Sequence, residues 1–309
     1  MSDKSQSMTS VPFRLPPRLF ESKLVLKCID CHAAGEPARV VLAGTPIPPN
    51  CVSALAKRAY MMEHMDHLRK ILLLEPRGYP CQNANFVFQC SDGKIQYVIA
   101  EQNQIYPLMS GHNTICVATA LLETGVVPML EPVTRFSIEA PAGPIEIAAK
   151  CVHGKAQSIV LKNAPAFVEH LDVTVNVPGG IGPVKCDIAY GGMWYCVVNL
   201  NENSRLFPNG LDPNNAAQIC REGEMIKVAC REQYPVQHPT INYPGCDILA
   251  FRQPSKEGNP SEAKNAVVMS NNKLDWDRPE TWTAMLDRSP CGTGTCAVLA
   301  VLHARGEIG

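Results

Sequence analysis

The chain alternates between short apolar runs of strand length and longer segments whose apolar residues recur at helical spacing. Strands are predicted at Lys23–Ile29 and Arg39–Leu42, with a tight turn at Gly35–Pro37 between them. The apolar residues of Leu55–Leu72 recur at helical spacing and predict one helix, which Pro76 would end. The pattern therefore begins with a hairpin that is followed by a helix.

The rest of the first half combines strands with a helix of small residues. The helix is predicted over Gly111–Glu123, and Gly125 suits the position just after a helix C-terminus. The predicted strands are Asn85–Gln89, Ile95–Ala100, Arg135–Glu139, Ile145–Ala149 and Ser158–Leu161.

From about Lys155 the same alternation begins again. Helices are predicted at Ala216–Cys230 and Gly292–Ala304, and strands at Asp247–Phe251 and Ala266–Met269. Two similar halves that alternate strands and helices predict an α/β or α+β fold.

The domain organisation follows from this restart. We expect a flexible leader at residues 1–20, an N-terminal half at 21–155 and a C-terminal half at 156–309. The polar segment Ser255–Lys264 contains Gly and Pro and predicts a surface loop. A chain of 309 residues is long enough for two halves that each bury a core.

Composition excludes several classes of protein. The 28 basic and 29 acidic residues nearly cancel and form no runs, so no nucleic-acid partner is expected. No segment approaches the roughly 18 apolar residues of a membrane span, and the polar N-terminus lacks the apolar region of a signal peptide. The 14 cysteines are therefore interpreted as reduced thiols, mostly buried, in a cytoplasmic protein.

An internal repeat is the strongest indication of function. The segment SGHNTICVATAL at Ser110–Leu121 aligns with CGTGTCAVLAVL at Cys291–Leu302. Each begins with a small nucleophilic residue and Gly, follows a segment that contains proline, and opens an apolar helix. Thr, Val and Leu match at the fifth, eighth and twelfth places.

Two such helix starts have a chemical meaning if they face each other. A helix N-terminus carries unpaired amide groups and partial positive charge, and a glycine there lets a ligand approach the backbone. Two opposed N-termini would hold one carboxylate, with Ser110 and Cys291 flanking the carbon that bears it. A thiol at this place would have a lowered pKa and could act as a base. The alternative is two ordinary helix caps.

Three other interpretations of these residues are weaker. Cys28–His32 spells the CxxCH of haem attachment, which needs an exported chain, and it also fits the end of a buried strand. No second pair with metal-ligand spacing completes a zinc site there. Gly292–Ala297 matches a dinucleotide fingerprint, but the strand and acidic residue that should follow are missing.

The motifs resemble the proline racemase family. Those that carry the resemblance are LMSGHNTI, DRSPCGTGT, IDCHAAGEPARVVLAG, EPRG, PAG and DIAYGG. The family includes proline racemases, hydroxyproline 2-epimerases and trans-3-hydroxy-L-proline dehydratases. The resemblance implies a diaminopimelate-epimerase-like fold of two pseudo-symmetric halves, with the substrate between them and neither a metal nor another cofactor.

The resemblance also implies roles for residues of both motifs. Ser110 and Cys291 take the paired acid–base positions. Asp287 would accept a hydrogen bond from the ring ammonium of the substrate, with help from the His112 side chain. The backbone amides expected to bind the carboxylate belong to Gly111, His112, Gly292 and Thr293. Without the resemblance, Asp287 would be interpreted as a solvated carboxylate or one paired with Arg288.

This chain departs from the family pattern at two points. Racemases usually carry Cys at both acid–base positions, whereas the first is Ser110 here. A serine hydroxyl needs an activating partner, and His112 is the nearest candidate. Members usually continue with a further strand segment beyond the second motif, so the resemblance implies that this segment is absent at Gly309.

The Ser/Cys pair leads us to expect a dehydratase. In trans-3-hydroxy-L-proline the hydroxyl lies on the same ring face as the α-hydrogen, so a group on that face could remove the proton and assist loss of water. The product would be 1-pyrroline-2-carboxylate. The alternatives are a 4-hydroxyproline 2-epimerase or proline racemase that uses the same pair, and a protein that binds such a ligand without chemistry. The expected partner is a small imino acid, and a homodimer is left open.

Overall fold

The computed structural model describes residues 24–255 and 262–309. The leader predicted at 1–20 and most of the loop predicted at Ser255–Lys264 lie outside these residues. Ala263 and Lys264, at the end of that predicted loop, already belong to a strand. No helix within the described ranges is long and apolar enough to cross a membrane.

The first half is a seven-stranded sheet whose strands follow chain order. They are β1 (Lys27–Ala33), β2 (Glu36–Ala43), β3 (Asn83–Gln89), β4 (Ile95–Ala100), β5 (Val133–Ala140), β6 (Gly143–Val152) and β7 (Lys155–Leu161). Neighbours are antiparallel except for β2 with β3 and β4 with β5. The helices are α1 (Ala54–His64), α2 (Asp66–Leu73) and α3 (Gly111–Glu123).

The second half is a six-stranded sheet in the order β13-β12-β11-β10-β9-β8. Its strands are β8 (Phe167–Val177), β9 (Gly182–Tyr190), β10 (Trp194–Asn199), β11 (Ile248–Pro254), β12 (Ala263–Ser270) and β13 (Ala284–Leu286). Two helices, α4 (Ala216–Gln233) and α5 (Gly292–Ala304), pack against it. The α/β fold class is confirmed.

The alternation of side chains along the first sheet gives it two buried faces. Val40 and Tyr97 point to the core that contains α3, whereas Val41 and Val98 point to the core that contains α1 and α2. Helix α3 contacts β1 and β7, which lie at the two edges of the sheet, so the sheet curls around it. The start of α3 is thereby fixed at one end of a curved sheet.

Two predicted boundaries differ from the structure. Strand β7 belongs to the first sheet, so the division between the sheets falls after Leu161 rather than between residues 155 and 156. The first strand begins at Lys27 instead of Lys23, and it is an edge strand with Cys28 exposed, not a buried one. The predicted turn is confined to Ala34 and Gly35, because β2 begins at Glu36.

The single helix predicted over Leu55–Leu72 is two helices. Met65 leaves the helical conformation, and α2 starts at Asp66, whose carboxylate accepts a hydrogen bond from Arg69 at 2.6 Å. Both helices bury their apolar faces in one core, through residues such as Met61 and Leu68. The helical spacing of apolar residues therefore indicates which side of the segment is buried. It continues across the break at Met65 because both helices bury the same side.

Candidate active site

The N-termini of α3 and α5 meet between the two halves. Ser110 is the N-cap of α3, and Cys291 is the N-cap of α5. A β-carbon added to Gly111 would lie 3.7 Å from the Cα atom of Gly292, so the two backbones face each other without side chains between them. The repeated motif therefore forms one site, as the sequence predicts.

All seven predicted site residues line one small cavity at this junction. They are Ser110, Gly111, His112, Asp287, Cys291, Gly292 and Thr293. The cavity has a volume of about 10 Å³, which suits a single water molecule. A ligand with the size of a proline ring can enter only if the walls of the cavity move apart.

The backbone amides of both first helical turns are available to an anion. Neither Ser110 nor Cys291 caps its own helix through its side chain. The first amide that bonds back within each helix belongs to Thr114 in α3 and to Thr295 in α5. The amides that precede them have no partner within the helices, and unpaired amides at a helix N-terminus favour a carboxylate. The exception is the Gly294 amide, which bonds the side chain of Cys291.

The Ser110 hydroxyl lies within a network of buried polar groups. Its oxygen is 3.2 Å from Nδ1 of His112 and accepts a hydrogen bond of 3.0 Å from the Asn113 side-chain amide. Both contacts are buried. The predicted pairing of Ser110 with His112 is present, and Asn113 is an additional partner that the motif analysis missed.

The tautomer of His112 decides what this pairing does. Burial lowers the pKa of His112 to about 4, so the ring is neutral and carries one proton. The Asn83 side-chain amide lies 3.2 Å from Nε2 and favours a proton on Nδ1, which would then be donated to Ser110. The Pro37 carbonyl also accepts a hydrogen bond from the His112 ring. Only a ring with its proton on Nε2 lets Nδ1 accept the proton of Ser110, which a serine base requires.

The side chain of Cys291 is a protonated thiol in this site. Cys291 is 5 % exposed, and its backbone lies in the left-handed region, with a φ of 55°. Burial raises the pKa of the thiol above its usual range, and the charge of Asp287 raises it further. The Gly294 amide acts in the opposite direction, as expected at a helix N-terminus, but it is outweighed. The sequence-based expectation of a lowered pKa for Cys291 is therefore wrong.

Tyr195 on β10 is a site residue that sequence reasoning missed. Its hydroxyl lies 3.3 Å from Sγ of Cys291 and 2.6 Å from the Thr293 hydroxyl. Burial raises its pKa well above the usual range, so the phenol is neutral and can donate one hydrogen bond. Tyr195 joins the second sheet to the first turn of α5 and orients the thiol.

Asp287 lies at the entrance to the second motif. One oxygen of its carboxylate accepts a 2.7 Å hydrogen bond from the amide of Ser289, and its own amide donates to Val267 at 3.0 Å. Its negative charge raises the pKa of Cys291, and at His112 it opposes the larger effect of burial, which lowers the pKa of that ring. The carboxylate bonds the Ser289 amide rather than an arginine, so the predicted role in binding a ring ammonium keeps its geometric support.

Replacement of Asp287 by asparagine should raise KM for an imino acid substrate by about ten- to a hundredfold, since a charge-assisted hydrogen bond is worth roughly 1.5–3 kcal/mol. Steady-state kinetics of the purified variant would measure this change. Asp277→Asn, which removes an exposed carboxylate, is the matched control. An unchanged KM for Asp287→Asn would exclude the ammonium contact.

Glu36 connects the two halves beside the site. It is fully buried, and its carboxylate accepts a 2.9 Å hydrogen bond from the amide of Arg288 and one of 3.3 Å from the Asn83 side chain. Burial raises its pKa to about 7. The same Asn83 amide contacts His112, so the hairpin of β1 and β2 supports both acid–base motifs.

One group of side chains within the described ranges could hold a metal ion by proximity. The Sγ atoms of Cys186, Cys196 and Cys230 lie within 4.8 Å of one another in the core of the second half. None of the three lines the cavity between the helices. All 14 cysteines are free thiols and more than half are buried, as predicted.

The fold places the N-termini of α3 and α5, one from each α/β half, around one buried cavity. The chain belongs to the proline racemase family, whose model matches residues 28–309. A proline racemase from Clostridioides difficile is 35 % identical over 286 residues, which cover 92 % of this chain and 79 % of the relative. A 4-hydroxyproline 2-epimerase from Rhizobium etli is 34 % identical over 289 residues, 92 % of this chain and 78 % of that protein.

Solved structures agree with the family assignment. A probable proline racemase from Agrobacterium radiobacter K84, solved with bound carbonate, gives a TM-score of 0.80 at 32 % identity, over 92 % of this chain and 79 % of that one. A hydroxyproline epimerase from Agrobacterium vitis, solved with trans-4-hydroxy-L-proline, gives 0.79 at 30 % identity, over 92 % and 78 %. The fold expected from the resemblance is confirmed, and these relatives carry the names of isomerases.

Proposed function

We propose that this enzyme removes the α-proton of a proline-type imino acid between Ser110 and Cys291. The observation that carries the proposal is the meeting of the two helix N-termini, which brings these residues to one cavity. The relatives named as a proline racemase and a 4-hydroxyproline 2-epimerase support the substrate class.

Each part of the substrate has a complementary group in the site. The carboxylate suits the amides of the two first turns, where it also spreads the negative charge that develops when the α-proton leaves. The ring ammonium suits Asp287, and its positive charge increases the acidity of the α-carbon. Ser110 and Cys291 then exchange protons with that carbon, the thiol of Cys291 acting as the resting acid.

Epimerisation at C2 is the outcome that the relatives favour. In this reaction one group removes the proton from one face and the other returns a proton to the opposite face. The isomerase names of the relatives support it better than they support dehydration. A neutral Cys291 thiol suits the group that returns the proton.

Dehydration of trans-3-hydroxy-L-proline is the second candidate, and one observation favours it. The cavity contains a further buried acid, Glu101, in addition to the acid–base pair. Epimerisation needs only two acid–base groups. Dehydration needs a base for the α-proton and, in addition, a proton donor for the departing oxygen. The hydroxyl side chain at Ser110 also departs from the two cysteines that are usual in racemases.

The two outcomes can be separated with the purified protein. Incubation with trans-3-hydroxy-L-proline is scored for 1-pyrroline-2-carboxylate with an imine-trapping dye, and incubation with trans-4-hydroxy-L-proline is followed by polarimetry. A change of optical rotation without imine indicates an epimerase, and imine indicates a dehydratase. Binding of both ligands without turnover would overturn the proposal and leave a binding protein. The cytoplasmic location and the homodimer remain predictions.

A further inference from the structure

We propose that Glu101 is the acid that protonates the departing ring hydroxyl when the substrate is a 3-hydroxyproline. The inference rests on dehydration, the second candidate above, and it gives that reaction a residue that the two repeated motifs do not contain. Three observations support the proposal. The carboxyl group lines the cavity, no described residue pairs with it, and the other groups of the cavity already have roles toward other parts of the substrate.

Glu101 is held at the cavity by the loop that follows β4. The residue is 7 % exposed and lines the cavity together with Ser110, Asp287 and Cys291. Its amide donates a 2.8 Å hydrogen bond to the Ile105 carbonyl, which closes the loop. The next side chain, Gln102, donates to two backbone carbonyls at 3.0 and 3.1 Å. These bonds fix the backbone that carries the Glu101 side chain.

No described residue neutralises the Glu101 carboxyl. It has no hydrogen-bonding or ionic partner within residues 24–255 and 262–309. The charges that act on it come from Asp287, Glu36 and Asp247, and all are negative. Burial and these charges raise its pKa to about 8, so it carries a proton at neutral pH. Apart from Asp287, the other ionisable side chains of the cavity are His112, Cys291 and Tyr195, which are neutral for the reasons given above.

The remaining parts of the substrate already have complementary groups. The amides bind the carboxylate, Asp287 binds the ring ammonium, and the Ser110–Cys291 pair serves the α-carbon. A protonated carboxyl is a hydrogen-bond donor, and the ring hydroxyl is the acceptor that still lacks one. A carboxylic acid kept neutral by burial is also a common device for protonating a leaving group.

The elimination balances with these groups. The base takes the proton from C2 and leaves a carbanion, which either regains a solvent-exchanged proton from the base or uses its electron pair to form the double bond between C2 and C3. The bond between C3 and oxygen breaks as Glu101 gives its proton to the oxygen, so that water leaves. Glu101 becomes a carboxylate and is reprotonated from solvent, to which the base returns its own proton. The enamine then tautomerises to the cyclic imine.

The test compares Glu101→Gln with the unmodified protein on trans-3-hydroxy-L-proline in D₂O. Glutamine keeps the shape and a hydrogen-bond donor but has no acidic proton. Imine formation should fall by roughly a hundredfold, within the range of general acid catalysis. Deuterium incorporation at C2, measured by proton NMR, should fall by no more than about tenfold. Glu169→Gln, which makes the same change at an exposed position, should alter neither rate.

The pH dependence supplies a second readout that needs no mutation. Because the acid acts in its protonated form, imine formation should be maintained below the pKa of about 8 and decline as the pH rises through it. Glu101→Gln should lack this decline, and Glu101→Asp should restore part of both the rate and the decline. A loss of rate caused by structural damage would leave the shape of the profile unchanged.

The outcomes separate this inference from the function on which it rests. If the unmodified protein forms imine and Glu101→Gln forms it at the same rate, the role of Glu101 is overturned while dehydration stands. If the unmodified protein forms no imine but epimerises 4-hydroxyproline, dehydration is overturned and the role of Glu101 with it. A selective loss of imine formation together with the lost alkaline decline is the expected result.

Discussion

Replacement of Ser110 by alanine should lower the rate of proton exchange at C2 of hydroxyproline by roughly 10²- to 10⁴-fold, the usual contribution of a positioned acid or base. The alanine removes the hydroxyl that contacts His112 and Asn113, and with it the side chain that we propose as the acid–base group of α3. Binding should change much less, since the backbone amides of α3 stay in place. NMR measurement of C2 deuteration, with substrate affinity measured by calorimetry, checks both expectations.

Two further variants make the Ser110 prediction specific. Ser110→Cys supplies a more acidic group at the same position and should keep substantial exchange, because it recreates a pair of thiols across the cavity. Ser137→Ala removes an exposed hydroxyl on β5 and should have no effect. Full activity of Ser110→Ala would show that Cys291 acts without this partner.

Replacement of Gly191 by alanine should abolish activity and destabilise the second half. A β-carbon there would lie 2.1 Å from the Thr293 carbonyl oxygen and 2.6 Å from the Ala297 amide nitrogen. Both are backbone atoms of α5, so no side-chain rotation can relieve the overlap. The helix start that carries Cys291 must shift, and a displacement of about 1 Å at a catalytic group can cost a hundredfold in rate.

Thermal unfolding and exchange kinetics together test the Gly191 prediction. We expect a loss of roughly 1–3 kcal/mol in the free energy of unfolding, typical of overpacking, and no measurable exchange at C2. Gly154→Ala is the control: its φ of 71° is unfavourable for alanine, but no atom lies within 4 Å of the added β-carbon. That variant should lose about 1–2 kcal/mol and stay active. Normal activity of Gly191→Ala would contradict the tight packing of α5.

The sequence predicted the halves and the paired motif because both depend on local pattern. Alternating apolar residues identify strands, and two similar helix starts at Ser110 and Cys291 identify an opposed pair of N-termini. The break at Met65 was not predictable in this way, because α1 and α2 bury the same side in one core. The division at Leu161 was missed because a strand pattern does not say which sheet the strand joins.

The chemistry of the site depends more on contacts between distant segments. A helix N-terminus alone lowers the pKa of a thiol, but Cys291 is buried among residues that no local pattern places beside it. Tyr195 and Asn83 reach the two motifs from strands far away in the chain. One sequence feature could have identified Glu101. It directly follows the apolar run of β4, where burial is expected, and acidic residues are rarely buried.

We propose that the two helix starts form one acid–base site for the α-carbon of an imino acid. Proton NMR of trans-4-hydroxy-L-proline in D₂O tests it most directly. We expect the unmodified protein to replace the C2 hydrogen with deuterium and the double variant Ser110→Ala/Cys291→Ala not to do so, although the variant still binds the ligand. A C2 signal that persists with the unmodified protein, or that disappears equally fast with the double variant, would rule out this acid–base site.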